Sequence, residues 1–207
     1  AAERAVKIAP EAAEGYVAAG YVADKMGNSP EAIRFLTQAV RIDALHGRAW
    51  ELLAAVRVRV ARSSEEMEQA EAALTQAERL RPFSSLVPYY RGLLRVKQQR
   101  FGMAVAEFRR ALEGNPYFTD ALYNLSLTLA FDGKKEESAQ VRQQFRRISS
   151  YIRERSQLQM RIGREPQRTD LWERLAKLAE INGDAQMAKL ARSRMASMAK
   201  HTLPTGD

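Results

Sequence analysis

From Tyr16 onward, small and apolar residues recur at helical spacing. Tyr16, Ala19, Gly20 and Ala23 step by three, one and three, which places them on one face of a helix over 11–22. The stripe breaks at Lys25-Met26-Gly27-Asn28, where Gly27 suits a left-handed C-terminal cap. Ser29 then supplies an N-cap, Pro30 a first-turn proline and Glu31 a first-turn acid for a second helix over 31–42. Its inward residues Ala32, Phe35, Leu36 and Ala39 match the first stripe if the two helices run antiparallel, with Gly20 allowing close approach.

This pair returns along the chain. Ala5, Ala39, Ala77 and Ala111 are separated by 34, 38 and 34 residues, as are Pro10, Ala44 in proline's place, Pro82 and Pro116. Ala32, Ala70, Ala104 and Ser138 repeat the 38 and the 34. A period near 34 residues means stacked helical hairpins, and no strand is predicted. Two spacings depart from the rule. Trp50 to Ala70 is 20 residues where Tyr16 to Ala32 and Pro88 to Ala104 are 16, so four extra residues fall near 61–67, where Ser63 and Glu66 have capping-box spacing. Phe145 lies 21 residues before Pro166, which lengthens a helix over 136–162 to roughly twice its sisters, about 40 Å at 1.5 Å per residue. Val141, Phe145, Ile148 and Ile152 give its first half a core stripe that Leu158 and Ile162 continue less regularly. Ser149-Ser150 is the expected bend, and Gly163 and Pro166 the stop.

The recurring positions resemble the tetratricopeptide family: Trp50, Leu53, Ala54, Ala70, Leu74, Ala77 and Pro82 in one unit, and Gly92, Phe101, Ala104, Phe108, Ala111 and Pro116 in the next. Leu122, Leu125, Ser126, Leu129 and Gly133 open a fourth unit; Trp172, Leu175, Ala176, Ala179, Gly183 and Ala188 mark the last. The resemblance implies an all-α, right-handed superhelical solenoid of antiparallel hairpins over 1–200. Its parts are a half repeat over 1–10, repeats over 11–44, 45–82, 83–116, 117–166 and 167–200, and an irregular tail over 201–207. Pro88, Arg91 and Arg95 stand where the family packs an aromatic, a leucine and a tyrosine, so the third unit's first helix is expected to be rotated or to begin at Pro88.

In the family the first helices line a concave groove. The residues carried over are Val17 and Tyr21, then Glu51 and Ala55, then Tyr89, Leu93 and Val96, then Tyr123, Leu127 and Phe131, and finally Glu173 and Lys177. The resemblance therefore implies a non-catalytic scaffold that holds a protein or peptide there; the competing assignment puts Leu93, Leu127 and Phe131 in the core between repeats. Val17, Tyr21 and Leu52 occupy the family's carboxylate-clamp places, which points away from an acidic C-terminal tail. An apolar peptide, another subunit or a peptide carrying a flat hydrophobic cofactor fits better.

Charge adds a second partner class. The chain of 207 residues carries a net +8, and 134–168 holds ten Lys or Arg against four Glu. Arg142, Arg146, Arg147, Arg153 and Arg155, with Tyr151 to stack, could meet nucleic acid or an anionic surface, or could form a solvated helix face. Both ends look open. Residues 1–8 match only the end of a second helix, and Ala188, Ala191, Met195 and Met198 lack a following helix to cover them. That predicts either a piece of a longer array or head-to-tail assembly into a filament or ring.

The remaining chemistry is sparse. There is no cysteine, and the two histidines, His46 and His201, are expected on the surface. Glu65-Glu66 and Glu136-Glu137 sit at helix starts, where the dipole accounts for them. No phosphate-binding glycine loop follows a strand, and no cofactor, metal site, membrane insertion or enzymatic activity is expected. The lack of cysteine and the alanine start favour export slightly over the cytosol.

Overall fold

The computed structural model describes residues 12–202, with side chains through 199. Among the described residues it contains ten helices and no strand: α1 Ala13–Lys25, α2 Ser29–Ile42, α3 Gly47–Val60, α4 Ser64–Leu80, α5 Leu86–Lys97, α6 Phe101–Gly114, α7 Thr119–Phe131, α8 Lys135–Arg164, α9 Thr169–Ile181 and α10 Ala185–Thr202. The expected half repeat, with Ala5 and Pro10, lies outside the described residues. α10 extends the helix through His201 and Thr202, where an irregular tail was expected; the rest of that tail, 203–207, also lies outside. Two compact units meet between Val141 and Arg142, within α8.

In the first unit the pairs α1/α2, α3/α4 and α5/α6 are antiparallel hairpins; a left-handed residue closes the first and third, while between α3 and α4 the chain turns through Ala61 at φ −53°. Gly27 at φ 78° ends α1, and the next N–H, of Asn28, reaches back to the Ala23 carbonyl at 2.9 Å. Gly133 does the same after α7 and Gly183 after α9. After α5 the position is held by Gln99 at φ 56°, where a side chain is strained. Gln99→Gly is therefore expected to stabilise this unit by about 1 kcal/mol, measured as a raised denaturant midpoint at constant m.

Capping corrects one expectation: Ser29 is the first helical residue, and Asn28 is the N-cap of α2, its side chain accepting from the Glu31 N–H at 3.3 Å. The capping box forms as expected, with Ser63 Oγ accepting from the Glu66 N–H and the Glu66 carboxylate from the Ser63 N–H. Its effect is to lengthen α4 to 17 residues against 14 in α2 and α6, so much of the insertion becomes helix. His46 also caps: its Nδ1 accepts from the Ala49 N–H at 3.4 Å at the start of α3. The Trp50 indole donates to the Ala44 carbonyl and Trp172 to the Pro166 carbonyl, each six residues back, so alanine replaces proline at 44 without losing the acceptor.

Close packing inside each hairpin rests on glycine. A Cβ at Gly20 would lie 2.5 Å from Leu36 Cγ, and one at Gly92 2.7 Å from the Phe108 ring. Gly92 against Phe108 shows that α5 keeps the family register, which corrects the expected rotation, and the helix begins at Leu86 with Pro88 buried in its first turn. Arg91 and Arg95 are accommodated by charge. Arg91 bonds Glu71 at 3.0 Å and Glu78 at 2.9 Å, Arg95 bonds Glu71 at 2.9 Å, and Arg110 bonds Glu78 at 2.8 Å, tying α4 to α5 and α6. The Arg91 side chain is 8% exposed.

The second unit has its own core, in which Leu158 and Ile162 of α8 pack with Leu171, Leu175, Ala176 and Ala191. α8 passes through Ser149-Ser150 as uninterrupted helix. Tyr151 is buried, donates to Asp184 at 2.5 Å, and shares that carboxylate with Arg155 at 3.2 Å. It is thus a core residue, and the expected stacking role is corrected.

Candidate functional site

The first unit opens an apolar cleft of about 490 Å³ lined by Ala55, Val58 and Arg59 of α3, by Tyr89, Tyr90, Leu93, Val96 and Lys97 of α5, and by Asp120 of α7. Helical spacing explains the α5 contribution, because positions 89, 93 and 96 fall on one face and Tyr90 on its margin. The structure brings Ala55, Tyr89, Leu93 and Val96 together in this cleft. Leu93 and Val96 also pack on the core beneath.

The aromatic pair is fixed from several sides. Tyr89 meets Tyr90 edge-on at 5.2 Å between centroids and packs against Phe118 at 4.7 Å and Phe108 at 6.0 Å. Asn124 Nδ2 donates to its hydroxyl at 3.4 Å. Burial, seconded by the Asp120 charge, pushes the Tyr89 phenol up to about 12, and burial raises Tyr90 as well. Both rings therefore remain neutral phenols at ordinary pH, offering apolar area and one hydroxyl each. At the far end of the cleft Arg59 is paired with Asp24, while Lys97 Nζ donates to the Arg59 and Ala61 carbonyls at 2.9 and 2.8 Å.

Other expected groove residues lie elsewhere. Val17 is buried among core residues, so it lines nothing, and Glu51 is buried with Arg81 at 3.1 Å and Ser84 as partners. Tyr21 is exposed beside Lys25. Tyr123, Leu127 and Phe131 do not line the cleft. They form a separate exposed stripe along α7, with Phe131 72% exposed and stacked on Phe101 at 5.8 Å. Glu173 and Lys177 pair with each other at 2.8 Å. The sequence reading missed Val58, Arg59, Tyr90, Lys97 and Asp120; the Tyr89-Tyr90 doublet was the one available signal.

A tetratricopeptide-repeat model matches residues 13–44, which are α1, α2 and the turn between them. Those residues are similar to one tetratricopeptide repeat. Solved structures extend the likeness of fold beyond that unit. MamA is 19% identical with a TM-score of 0.64 over 74% of this chain and 88% of its own. YrrB, described as a tetratricopeptide-repeat protein with an unusual peptide-binding site, is 18% identical with a TM-score of 0.54 over 96% and 92%. A thermophilic tetratricopeptide-repeat protein of Thermus thermophilus, TTC0263, is 21% identical with a TM-score of 0.57 over 86% of both chains. No curated protein matches the sequence.

Elsewhere in the chain, Arg142, Arg146, Arg147 and Arg153 are exposed on α8, whereas Arg155 is half-buried on Asp184, which corrects its place in the anion-binding set. Ala188 and Ala191 are buried, Ala191 in the second unit's own core, and so cannot form an end-to-end contact surface. Met195 and Met198 are half-buried and line a wider cleft of about 980 Å³ with Ile162, Pro166 and Trp172. Among the described residues no three His, Asp or Glu gather as a metal would require, and no helix is long and apolar enough to cross a membrane.

Proposed function

We propose that the chain is a non-catalytic interaction scaffold that holds an extended peptide segment of a protein partner in the cleft between α3 and α5. The observation that carries this reading is the cleft itself: two oriented tyrosines with Leu93 and Val96, all half-buried over the core, between the first helices of successive hairpins. Its size suits a few side chains, and its wall is aromatic and aliphatic, the composition that favours peptide anchors. The peptide-binding description of YrrB supports the same use of the fold.

The test fills the cleft without touching the core. Ala55 is half-buried at its edge, on a helix that tolerates a longer straight-chain residue. With fluorescein-labelled extended peptides centred on Leu, Ile or Phe, Ala55→Gln should weaken binding at least about tenfold, while Leu127→Ser on the α7 stripe leaves it unchanged. Unaltered affinity in Ala55→Gln, with a parental melting curve, overturns the reading.

A further inference from the structure

Resting on that cleft reading, we propose that the cleft is read by charge at its two ends, and that its partner is a peptide whose apolar residues are bracketed by an acidic residue on one side and a basic residue on the other. The cleft runs along α5 from Tyr89 to Val96, about 10 Å at 1.5 Å per residue. At the Tyr89 end stands Asp120, exposed in the first turn of α7 and without an ion-pair partner among the described residues; its charge is felt by both tyrosines. At the Val96 end stand Arg59 and Lys97. Asp24 neutralises Arg59, but among the described residues Lys97 is held only by two carbonyls, which orient its ammonium without cancelling the charge. The other nearby charge, Glu51, is compensated by Arg81.

The floor is therefore apolar, one rim is negative and the other positive. An extended chain advances about 3.3 Å per residue, so about three residues separate the two rims. A segment of the type Glu-apolar-apolar-Lys places each charge opposite its complement, in one chain direction or the other. A di-acidic or di-basic segment meets repulsion at one end. The apolar floor gives attraction in all three cases, and the rims supply the choice among them.

The experiment uses four labelled peptides with the same Leu-Phe centre, flanked by Glu/Lys, Lys/Glu, Glu/Glu or Lys/Lys, on the full chain at low salt. The better of the two zwitterionic orders should bind about fivefold tighter than either like-charged peptide. Asp120→Asn should abolish the preference for the Lys end, and Asp120→Lys should make Glu/Glu the best ligand, each with a parental circular-dichroism melt. Equal affinity for all four peptides, or the same ranking in Asp120→Lys, overturns this inference while leaving the cleft reading in place. Failure of every peptide to bind the parent overturns the cleft reading itself.

Discussion

Phe108→Ala should destabilise the first unit by about 4 kcal/mol, the largest effect of any single change considered. Phe108 is fully buried, sits against Gly92 and Tyr89, and joins Ala104, Val105, Leu125 and Leu129 in one cluster, so its loss removes a ring and opens a void at the centre of several helices. The same geometry predicts a change of sign. Gly92→Ala alone crowds a Cβ to 2.7 Å from the ring and should cost about 1–2 kcal/mol net of its better helix propensity. In the Phe108→Ala background the crowding is gone, and the same substitution should stabilise by up to about 1 kcal/mol. Denaturant unfolding of the four proteins of this cycle checks it; additive effects would show that Gly92 is not there to admit the ring.

Removing Arg91 comes next. Arg91→Ala strips an almost fully buried cation from between Glu71 and Glu78 and leaves two acids of α4 without their shared partner. Breaking a buried pair typically costs about 3–5 kcal/mol, and because both acids are about a third exposed the expected loss is about 2–3 kcal/mol. Arg91→Leu in a Glu71→Gln, Glu78→Gln background should recover much of it. The pH dependence has a definite sign. Burial works against the Glu78 charge, but Arg110 and Arg91 outweigh it and hold its carboxyl below the usual 4.5. A depressed carboxylate contributes stability that is full above its unfolded value and is lost as the pH falls through the folded one. The gap between parent and Arg91→Ala should therefore narrow below about pH 4.5, measured by urea unfolding across that range. A constant gap would remove the ionic account of Arg91.

The hairpins were legible because local pattern announces them: a stripe of period 3.6 throughout, and at several turns a left-handed glycine or a first-turn acid. Gly27, Gly133 and Gly183 could be read that way, whereas Gln99 takes the same backbone conformation with no residue to announce it. Positions whose fate depends on a distant helix were not legible. Arg91 and Arg95 looked like departures from the pattern until Glu71 and Glu78, on another helix, were seen to receive them. Tyr151 looked available because Asp184, which claims its hydroxyl, comes 33 residues later. Ala188 and Ala191 show the limit of periodicity: a small-residue stripe fits the helix's own partner as well as a neighbouring molecule, and in α10 the partner takes it. For the cleft, the α5 face was readable from spacing, while Arg59 and Asp120 belong to it only because folding lays α3 and the start of α7 alongside α5.

The two indole bonds have a practical consequence. The chain holds two tryptophans, and Trp50 and Trp172 fall one in each compact unit, each ring tethered to a carbonyl of its own turn. Single Trp→Phe variants thus convert the protein's ultraviolet emission into a separate reporter for each half, so that the melting of one can be timed against the other without any attached dye.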